Sequence, residues 1–187
     1  MEKGMSRVFC SEDWEDVSMG GDVVLCGFYH RYRNPDNSKN QSFDMFSRRI
    51  LDVKDKKENA ITYFFQLLDS ELCENITICV VPSHEEGKRN MSGIAELARR
   101  LANNGRIDKV DFLVRTKTID KLAHGGSRNI RVHLNSLGVN PNMTVEGDVV
   151  LIVDDVTTSG ASLEACKEIL LRSGAQRVAM LALGQAV

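Results

Sequence analysis

The chain has 187 residues and a formal net charge of −2. So small a net charge predicts no general attraction to nucleic acid or to a membrane surface. No apolar run reaches the roughly 18 residues that a membrane-spanning helix needs, and residues 1–20 lack the apolar segment of a signal peptide. The length suits one α/β domain with an added subdomain.

The cysteines predict free thiols rather than a zinc site or a disulfide framework. Their number is odd, and no two of them are spaced as C-x-x-C. Free thiols are typical of a reducing compartment, so we expect a cytoplasmic protein. The cysteines are Cys10, Cys26, Cys73, Cys79 and Cys166.

Residues 1–75 predict a cap, or hood, attached to a core that begins at Ile76. The segment from Phe43 to Val53 fits either a second strand or a short helix, and the sequence does not decide between them. Around it we expect a tail or surface segment over 1–20, a short strand over 23–29, a loop over 31–42 and a helix over 60–72.

Residues 76–187 predict an α/β core. We expect strands over 76–81, 110–114, 149–153 and 178–183, and helices over about 91–103 and 163–173. Strands that alternate with helices form a mainly parallel sheet flanked by helices, and such sheets bind ligands at the carboxyl ends of their strands. The long polar segment 115–147 is typical of a functional or disordered connection.

The most informative segment runs from Val149 to Ser162. Five apolar residues predict a buried strand, and Asp154 and Asp155 follow where that strand is expected to end. Small hydroxyl residues and Gly160 come next, at the start of an amphipathic helix, and the unpaired N–H groups of such a turn attract phosphate. The two carboxylates suit sugar hydroxyls or a divalent ion. Together these features predict a ribose 5-phosphate site.

This segment closely resembles the phosphoribosyl diphosphate (PRPP) loop of type I phosphoribosyltransferases. The resemblance implies that Asp154 and Asp155 are the catalytic acids and hold the ribose hydroxyls or, through water, Mg²⁺. The residues that it assigns to the 5′-phosphate are Thr157, Thr158, Ser159, Gly160, Ala161 and Ser162.

Three other interpretations of the segment stay open. A nucleotide-triphosphatase strand also ends in acids, but no G-x-x-x-x-G-K-[ST] loop lies upstream. A two-component receiver domain carries a similar acidic pair, but too few residues follow Asp155 to complete one. The third is an ordinary strand-to-helix turn without a ligand.

The same family binds pyrophosphate with the loop after the first core strand and closes a flexible loop over the site. By resemblance these are Pro82 to Asn90, which is less glycine-rich than usual, and Arg115 to Arg131. Basic side chains suit a pyrophosphate leaving group, and closure excludes water. We expect all of 115–147 to be mobile without ligand. The expected pyrophosphate-binding residues are Ser83, His84, Lys88, Arg89, Arg115 and Lys117.

Residues 76–187 resemble the ComF-like subgroup more narrowly. Two features differ from that subgroup: only Cys10 and Cys26 are present where a four-cysteine zinc ribbon is usual, and Asp120 replaces a Gln. The features that match are Val81-Pro82, Arg115 to Thr118, Arg128-Asn129 and Asp154 to Ser162.

The resemblance implies a Mg²⁺-dependent phosphoribosyltransferase that uses PRPP and displaces pyrophosphate with a nitrogen nucleophile, which the sequence does not identify. Thr158 stands where purine enzymes of the family have an Asp, which argues against hypoxanthine or guanine. The alternative is a non-catalytic PRPP- or nucleotide-binding module that regulates a partner. The expected partners are PRPP or a related ribose phosphate, a second copy in a homodimer and, for a regulator, another protein, but no membrane.

Overall fold

The computed structural model of the chain describes residues 23–87, 90–119 and 129–187. Within these ranges the elements follow in this order: β1 (Val23–Leu25), β2 (Phe28–Tyr29), α1 (Met45–Lys54), α2 (Glu58–Asp69), β3 (Thr77–Val80), α3 (Gly93–Ala102), β4 (Ile107–Asp108), β5 (Leu113–Arg115), α4 (Ile130–Leu134), β6 (Leu137–Val139), β7 (Val149–Thr157), α5 (Ala161–Arg172) and β8 (Arg177–Ala186).

A parallel sheet is the centre of the molecule. Its strand order is β1-β8-β7-β3-β4, and β2 also pairs with β8 in parallel. Val153 of β7 stands opposite Val80 on one side and Leu181 on the other, so three buried strands are in register at this level. The predicted fold class, a mainly parallel sheet flanked by helices, is confirmed.

Helices cover both faces of this sheet because its central strands are apolar on both sides. Along β7, Leu151 and Val153 pack in the cluster that includes α1, α2 and α3. Val150 and Ile152 point to the other face and pack against α5. Successive strand residues alternate between faces, so one run of apolar residues serves both layers.

The described part of the predicted cap is built into this same sheet and core. β1 and β2 pair with β8 along one edge. Helices α1 and α2 contribute Ile50, Val53 and Phe64 to the cluster that also holds β3 and β7 residues. The packing therefore shows no break at residue 75, and that boundary stays a prediction.

The undecided segment from Phe43 to Val53 contains a helix, α1. Asp44 is its N-cap and accepts a hydrogen bond from the backbone N of Ser47 at 2.7 Å. Such a cap satisfies one of the N–H groups that have no partner inside the helix. The predicted tail, residues 1–20, lies outside the described residues.

The strand predicted over 110–114 is displaced, because residues 110–112 form a turn and the strand is Leu113–Arg115. Asp108 accepts a hydrogen bond from the backbone N of Val110 at 3.0 Å, and this turn ends β4 at the sheet edge. The chain then leaves the main sheet, and β5 pairs with β6 in a separate antiparallel ribbon.

The described part of segment 115–147 contains more secondary structure than its composition predicted, and its expected mobility without ligand stays a prediction. It contains α4 and β6, and His133 and Leu137 are buried there. Within it, only 120–128 lies outside the described residues. Among the helices that the structure describes, none is long and apolar enough to cross a bilayer.

Candidate phosphate and ribose site

A tight turn joins β7 to α5 at the carboxyl end of the sheet. Gly160 occupies the left-handed region with φ 76°, and its backbone N donates to Oγ1 of the buried Thr157 at 3.1 Å. Gly160 is also the N-cap of α5, which has no side-chain cap. The positive end of the helix dipole and its first N–H groups are therefore left for another acceptor.

A cleft of about 520 Å³ opens at this turn. Ser159 is exposed beside it, so its hydroxyl is accessible to a ligand. Glu164 adds a carboxylate to the same cleft, one turn into α5. That carboxylate repels a phosphate dianion but favours a bound cation. The lining residues are Val23, Leu25, Thr157, Thr158, Ser159, Gly160, Glu164 and Gln185.

The two acids lie within β7 and not after it, because the strand continues to Thr157 beside the long β8. Consecutive strand residues face opposite sides, so Asp154 follows the face of Ile152 and Asp155 the face of Val153. The surroundings agree: burial, and after it the charge of Asp154, raise the pKa of the Cys166 thiol on α5, whereas Asp155 contacts Lys54 of α1.

Burial and the nearby charge of Asp155 together raise the pKa of Asp154. Its Oδ1 accepts one hydrogen bond, from the backbone N of Asp155 at 2.8 Å. Asp155 lies 3.3 Å from the Nζ of Lys54, which partly balances the pair. The raised pKa keeps Asp154 largely protonated at neutral pH, and a cation bound at the pair would favour ionisation of both acids.

The acids fit Mg²⁺ only as a partial ligand set. Among the described residues there is no group of three or more His, Cys, Asp or Glu side chains that could hold a metal ion. Mg²⁺ commonly keeps several waters and takes one or two carboxylates together with substrate phosphates. Asp154 and Asp155 fit that pattern, whereas a cage made of protein alone is absent from the described residues.

The loop after β3 is tied to the segment that follows β5. The backbone N of Gly87 donates to the carbonyl of Arg115 at 3.0 Å, and that of Ile119 donates to the carbonyl of His84 at 3.0 Å. Thr118 Oγ1 accepts from the backbone N of Glu86 at 3.0 Å. The two loops that the sequence assigned to pyrophosphate therefore lie against each other.

Arg115, which was expected to bind pyrophosphate, is bound by acceptors of the protein itself. It is 4% exposed, and its guanidinium donates to the carbonyl of Ser83 at 2.9 Å, to Oγ of Ser136 at 2.7 Å and to the carbonyl of Pro82 at 3.4 Å. The extended β5 strand carries this side chain inward, between the β3 loop and the end of α4. Arg115 thus holds the β3 loop in place, and its assignment to pyrophosphate stays a prediction.

The remaining residues assigned to pyrophosphate differ in their surroundings. Lys117 is exposed, and His84 lies 3.5 Å from Glu85 through Nε2. The Oγ of Ser83 is buried without a hydrogen-bond partner among the described residues. Lys88 and Arg89 lie outside the described residues, so their assignment stays a prediction.

Two residues at the site were missed by sequence reasoning. Lys54 sits on the last turn of α1, and nothing in its sequence neighbourhood links it to Asp155. Glu164 could have been found, because it follows Gly160 by one helical turn and must face the same end of α5. Carboxylates are common in the first turn of any helix because they interact favourably with the helix dipole, so an acidic residue at this position does not by itself indicate a binding site.

The comparisons with known proteins are few and distant. No protein-family model and no curated protein matches the chain. Two crystal structures of a hypoxanthine phosphoribosyltransferase from Staphylococcus aureus are similar at 13% and 12% identity, each with a TM-score of 0.41 and covering 74% of this chain and 74% of that chain. The hypoxanthine phosphoribosyltransferase of Trypanosoma cruzi is similar at 11% identity, with a TM-score of 0.40, covering 79% of this chain and 72% of that one.

These similarities do not support the narrower resemblance to the ComF-like subgroup. At such distances no residue role is transferred to this chain, and the candidate site is defined by its own geometry.

Proposed function

We propose that the chain binds PRPP in the cleft at Gly160 and transfers the phosphoribosyl group to a nitrogen nucleophile, with Mg²⁺ and release of pyrophosphate. One observation carries this proposal. The N-terminus of α5 has left-handed Gly160 as its N-cap and no side-chain cap, and it follows the two carboxylates near the end of β7. A phosphate-binding turn and two carboxylates that can accept from sugar hydroxyls therefore lie close together in the chain.

Different residues bind the phosphate and the ribose of the ligand. The N–H groups at the start of α5 and the hydroxyls of Thr158, Ser159 and Ser162 donate to the 5′-phosphate. Asp154 and Asp155 accept from the ribose hydroxyls, each from its own side of the strand. Mg²⁺ supplies charge neutralisation on the pyrophosphate and ribose oxygens when bound. A positively charged ribose in the transition state is stabilised by these two carboxylates.

A non-catalytic binder of a ribose phosphate is the alternative function, and the described part of the β3 loop favours it. From Pro82 to Gly87 this loop carries Glu85 and Glu86, and its two basic residues, Lys88 and Arg89, lie outside the described residues. Arg115 behind it is occupied by backbone and hydroxyl acceptors. A chain with weak pyrophosphate affinity would act as a sensor of sugar phosphates, with a protein partner or a second copy as its target.

Calorimetry with PRPP and ribose 5-phosphate, each with and without Mg²⁺, tests the binding step. Asp154→Asn combined with Asp155→Asn is expected to weaken Mg²⁺-PRPP binding at least tenfold and inorganic phosphate binding less than twofold, because the acids serve the diol and metal. Equal losses for both ligands would contradict the proposed roles. Pyrophosphate release in the presence of candidate nucleophiles then separates the enzyme from the sensor.

A further inference from the structure

A second cavity, of about 310 Å³, opens beside the phosphate turn. It lies where β2, β8 and β7 reach their carboxyl ends, and Thr158 borders both this cavity and the phosphate cleft. We call it the arginine cavity, because two guanidinium groups face it. Its lining residues are Arg31, Arg33, Asn34, Pro35, Asn40, Thr158, Ala186 and Val187.

The loop that carries the two arginines is held in one shape by its own hydrogen bonds. Asn40 donates from Nδ2 to the carbonyl of Arg31 at 3.0 Å and from its backbone N to the carbonyl of Tyr32 at 3.1 Å. Arg33 and Lys39 form an antiparallel bridge across the loop. A loop braced in this way presents its side chains at a small entropic cost to binding.

The arginine cavity is electropositive. No ion pair links Arg31 or Arg33 to a carboxylate of the described residues, and the described lining contains no Asp or Glu. The nearest acid in the loop, Asp36, accepts from Oγ of Ser38 at 2.6 Å and from its backbone N at 3.0 Å. Arg33 donates one hydrogen bond from Nη1 to the carbonyl of Asn37. The other N–H donors of its guanidinium can bind a ligand.

A chain of contacts joins this cavity to the acid pair. Lys54, which lies 3.3 Å from Asp155, has its Nζ 5.9 Å from the centre of the Tyr29 ring. Tyr29 pairs with Ala186 and accepts from the backbone N of Val187 at 3.2 Å. These contacts, and Thr158 at the border of both cavities, place the arginine cavity at the same edge of the sheet as the acid pair.

We infer that the arginine cavity binds the nitrogen nucleophile and that this nucleophile carries a carboxylate. The inference rests on the proposed function. An arginine fork matches a carboxylate with two parallel hydrogen bonds, whereas a neutral ligand offers no charge for such a pair. The volume suits a small acid, and Pro35 and Val187 supply an apolar wall.

The transfer balances without a further reactant. The nitrogen forms a bond to C1 of the ribose while the bond between C1 and the pyrophosphate oxygen breaks, and that electron pair leaves with pyrophosphate. Where the attacking nitrogen carries a proton, as in orotate, that proton passes to water, because the Thr158 hydroxyl is not a base at neutral pH. A pyridine nitrogen, as in nicotinate, attacks with its lone pair and releases no proton. The carboxylate stays ionised and fixes the orientation of the attacking atom.

The test compares pairs of probes that differ by the carboxylate: nicotinate with nicotinamide, and orotate with uracil. Binding is measured by calorimetry on the full chain saturated with ribose 5-phosphate. We expect at least one acid to bind ten times more tightly than its neutral partner, and Arg31→Gln combined with Arg33→Gln to abolish this preference. Lys39→Gln, on the same loop but outside the cavity, is the matched control and keeps it.

Three outcomes overturn the inference. The cavity does not select an acid if neither probe pair shows a preference or if the double variant retains it. If the double variant weakens ribose 5-phosphate binding as strongly as acid binding, the arginines serve the sugar phosphate instead. A preference for the acid without pyrophosphate release from PRPP leaves the inferred acid site standing and refutes the proposed transfer.

Discussion

Lys54 Nζ lies 3.3 Å from Oδ1 of Asp155, so an ion pair joins the last turn of α1 to the candidate site. This ammonium is the described cation closest to the acid pair, and it competes with any metal there. Replacing Lys54 by Met leaves the Asp155 carboxylate without this ion-pair partner. We expect Mg²⁺ alone to bind roughly threefold to tenfold more tightly to this variant, as measured by calorimetry at low salt.

The control for Lys54 is Lys57→Met. Lys57 pairs with Asp52 at 2.8 Å on the same helical hairpin, away from the acid pair. Its loss changes the net charge by the same amount. Equal gains in Mg²⁺ affinity for both variants would mean that general charge, and not the contact with Asp155, controls the metal.

Arg115 and Lys117 are predicted to act differently although both were expected at the pyrophosphate. Arg115→Met leaves the carbonyls of Pro82 and Ser83 without their buried donor, so it is expected to cost about 2–4 kcal/mol of unfolding free energy. Lys117→Met, at an exposed position, is expected to change stability by less than about 0.5 kcal/mol. Urea unfolding measures both.

Ligand binding separates the same two variants further. Lys117→Met is expected to weaken PRPP binding and to leave ribose 5-phosphate binding unchanged, because only PRPP carries the pyrophosphate. If Lys117→Met binds PRPP like the wild type while Arg115→Met is stable, the assignment of positioning to Arg115 and contact to Lys117 is reversed.

The sheet could be predicted because its central strands are apolar runs, which can be identified from the local sequence alone. The end of β7 could not, because Asp154 to Thr157 are polar or mixed in character. They remain in strand conformation since β8 continues beside them as far as Ala186. Pairing across the sheet decided the strand end, and a single strand contains no signal for that.

The candidate site was predictable where one turn of chain supplies it, as at Thr157 to Gly160. It was not where distant elements meet. Lys54 and the loop after β2 approach the turn between β7 and α5 only because β2 and α1 pack beside β8. Arg115 faces inward because β5 leaves the main sheet. Such positions depend on tertiary packing, which neither residue spacing nor charge encodes locally.

His133 is 1% exposed, and neither ring nitrogen has a hydrogen-bond partner among the described residues. Burial, with the nearby charge of Arg115, lowers its pKa below the ordinary 6.5. The imidazole of His133 therefore binds a proton more readily in the unfolded chain than in the folded one. As the pH falls below 6.5, this difference lowers the free energy of unfolding. The slope from one such group is at most about 1.4 kcal/mol per pH unit.

His133→Leu removes that titration. Since the replaced nitrogens are unpaired among the described residues, we expect stability at pH 7.5 to stay within about 1 kcal/mol of the wild type. At pH 5.5 the variant is expected to be the more stable of the two. Urea unfolding at both pH values checks this, and parallel stability curves for the two proteins would show that His133 is not the responsible group.

Glu164 faces the phosphate cleft from the first turn of α5. Its carboxylate opposes a phosphate dianion there, so Glu164→Gln is expected to tighten ribose 5-phosphate binding roughly threefold at low salt and less at high salt. Glu168→Gln, one turn further along the same helix, is the matched control and should leave the affinity unchanged. Weaker binding by Glu164→Gln would instead mean that this carboxylate accepts from a ligand hydroxyl.

Gly160 and Gly147 share the same left-handed backbone, with φ 76° at both positions, but lie at opposite ends of β7. An added Cβ at Gly160 would meet Cγ2 of Val23 at 3.7 Å, an ordinary contact, and at Gly147 would meet nothing within 4 Å. Alanine at either position therefore costs mainly backbone strain, about 1 kcal/mol of unfolding free energy in each case. Only Gly160→Ala disturbs the N–H groups at the start of α5, so only this variant is expected to lose ribose 5-phosphate affinity, by tenfold or more. Paired unfolding and calorimetry decide the matter: equal losses of stability with unchanged binding in both variants would show that this turn does not hold the phosphate.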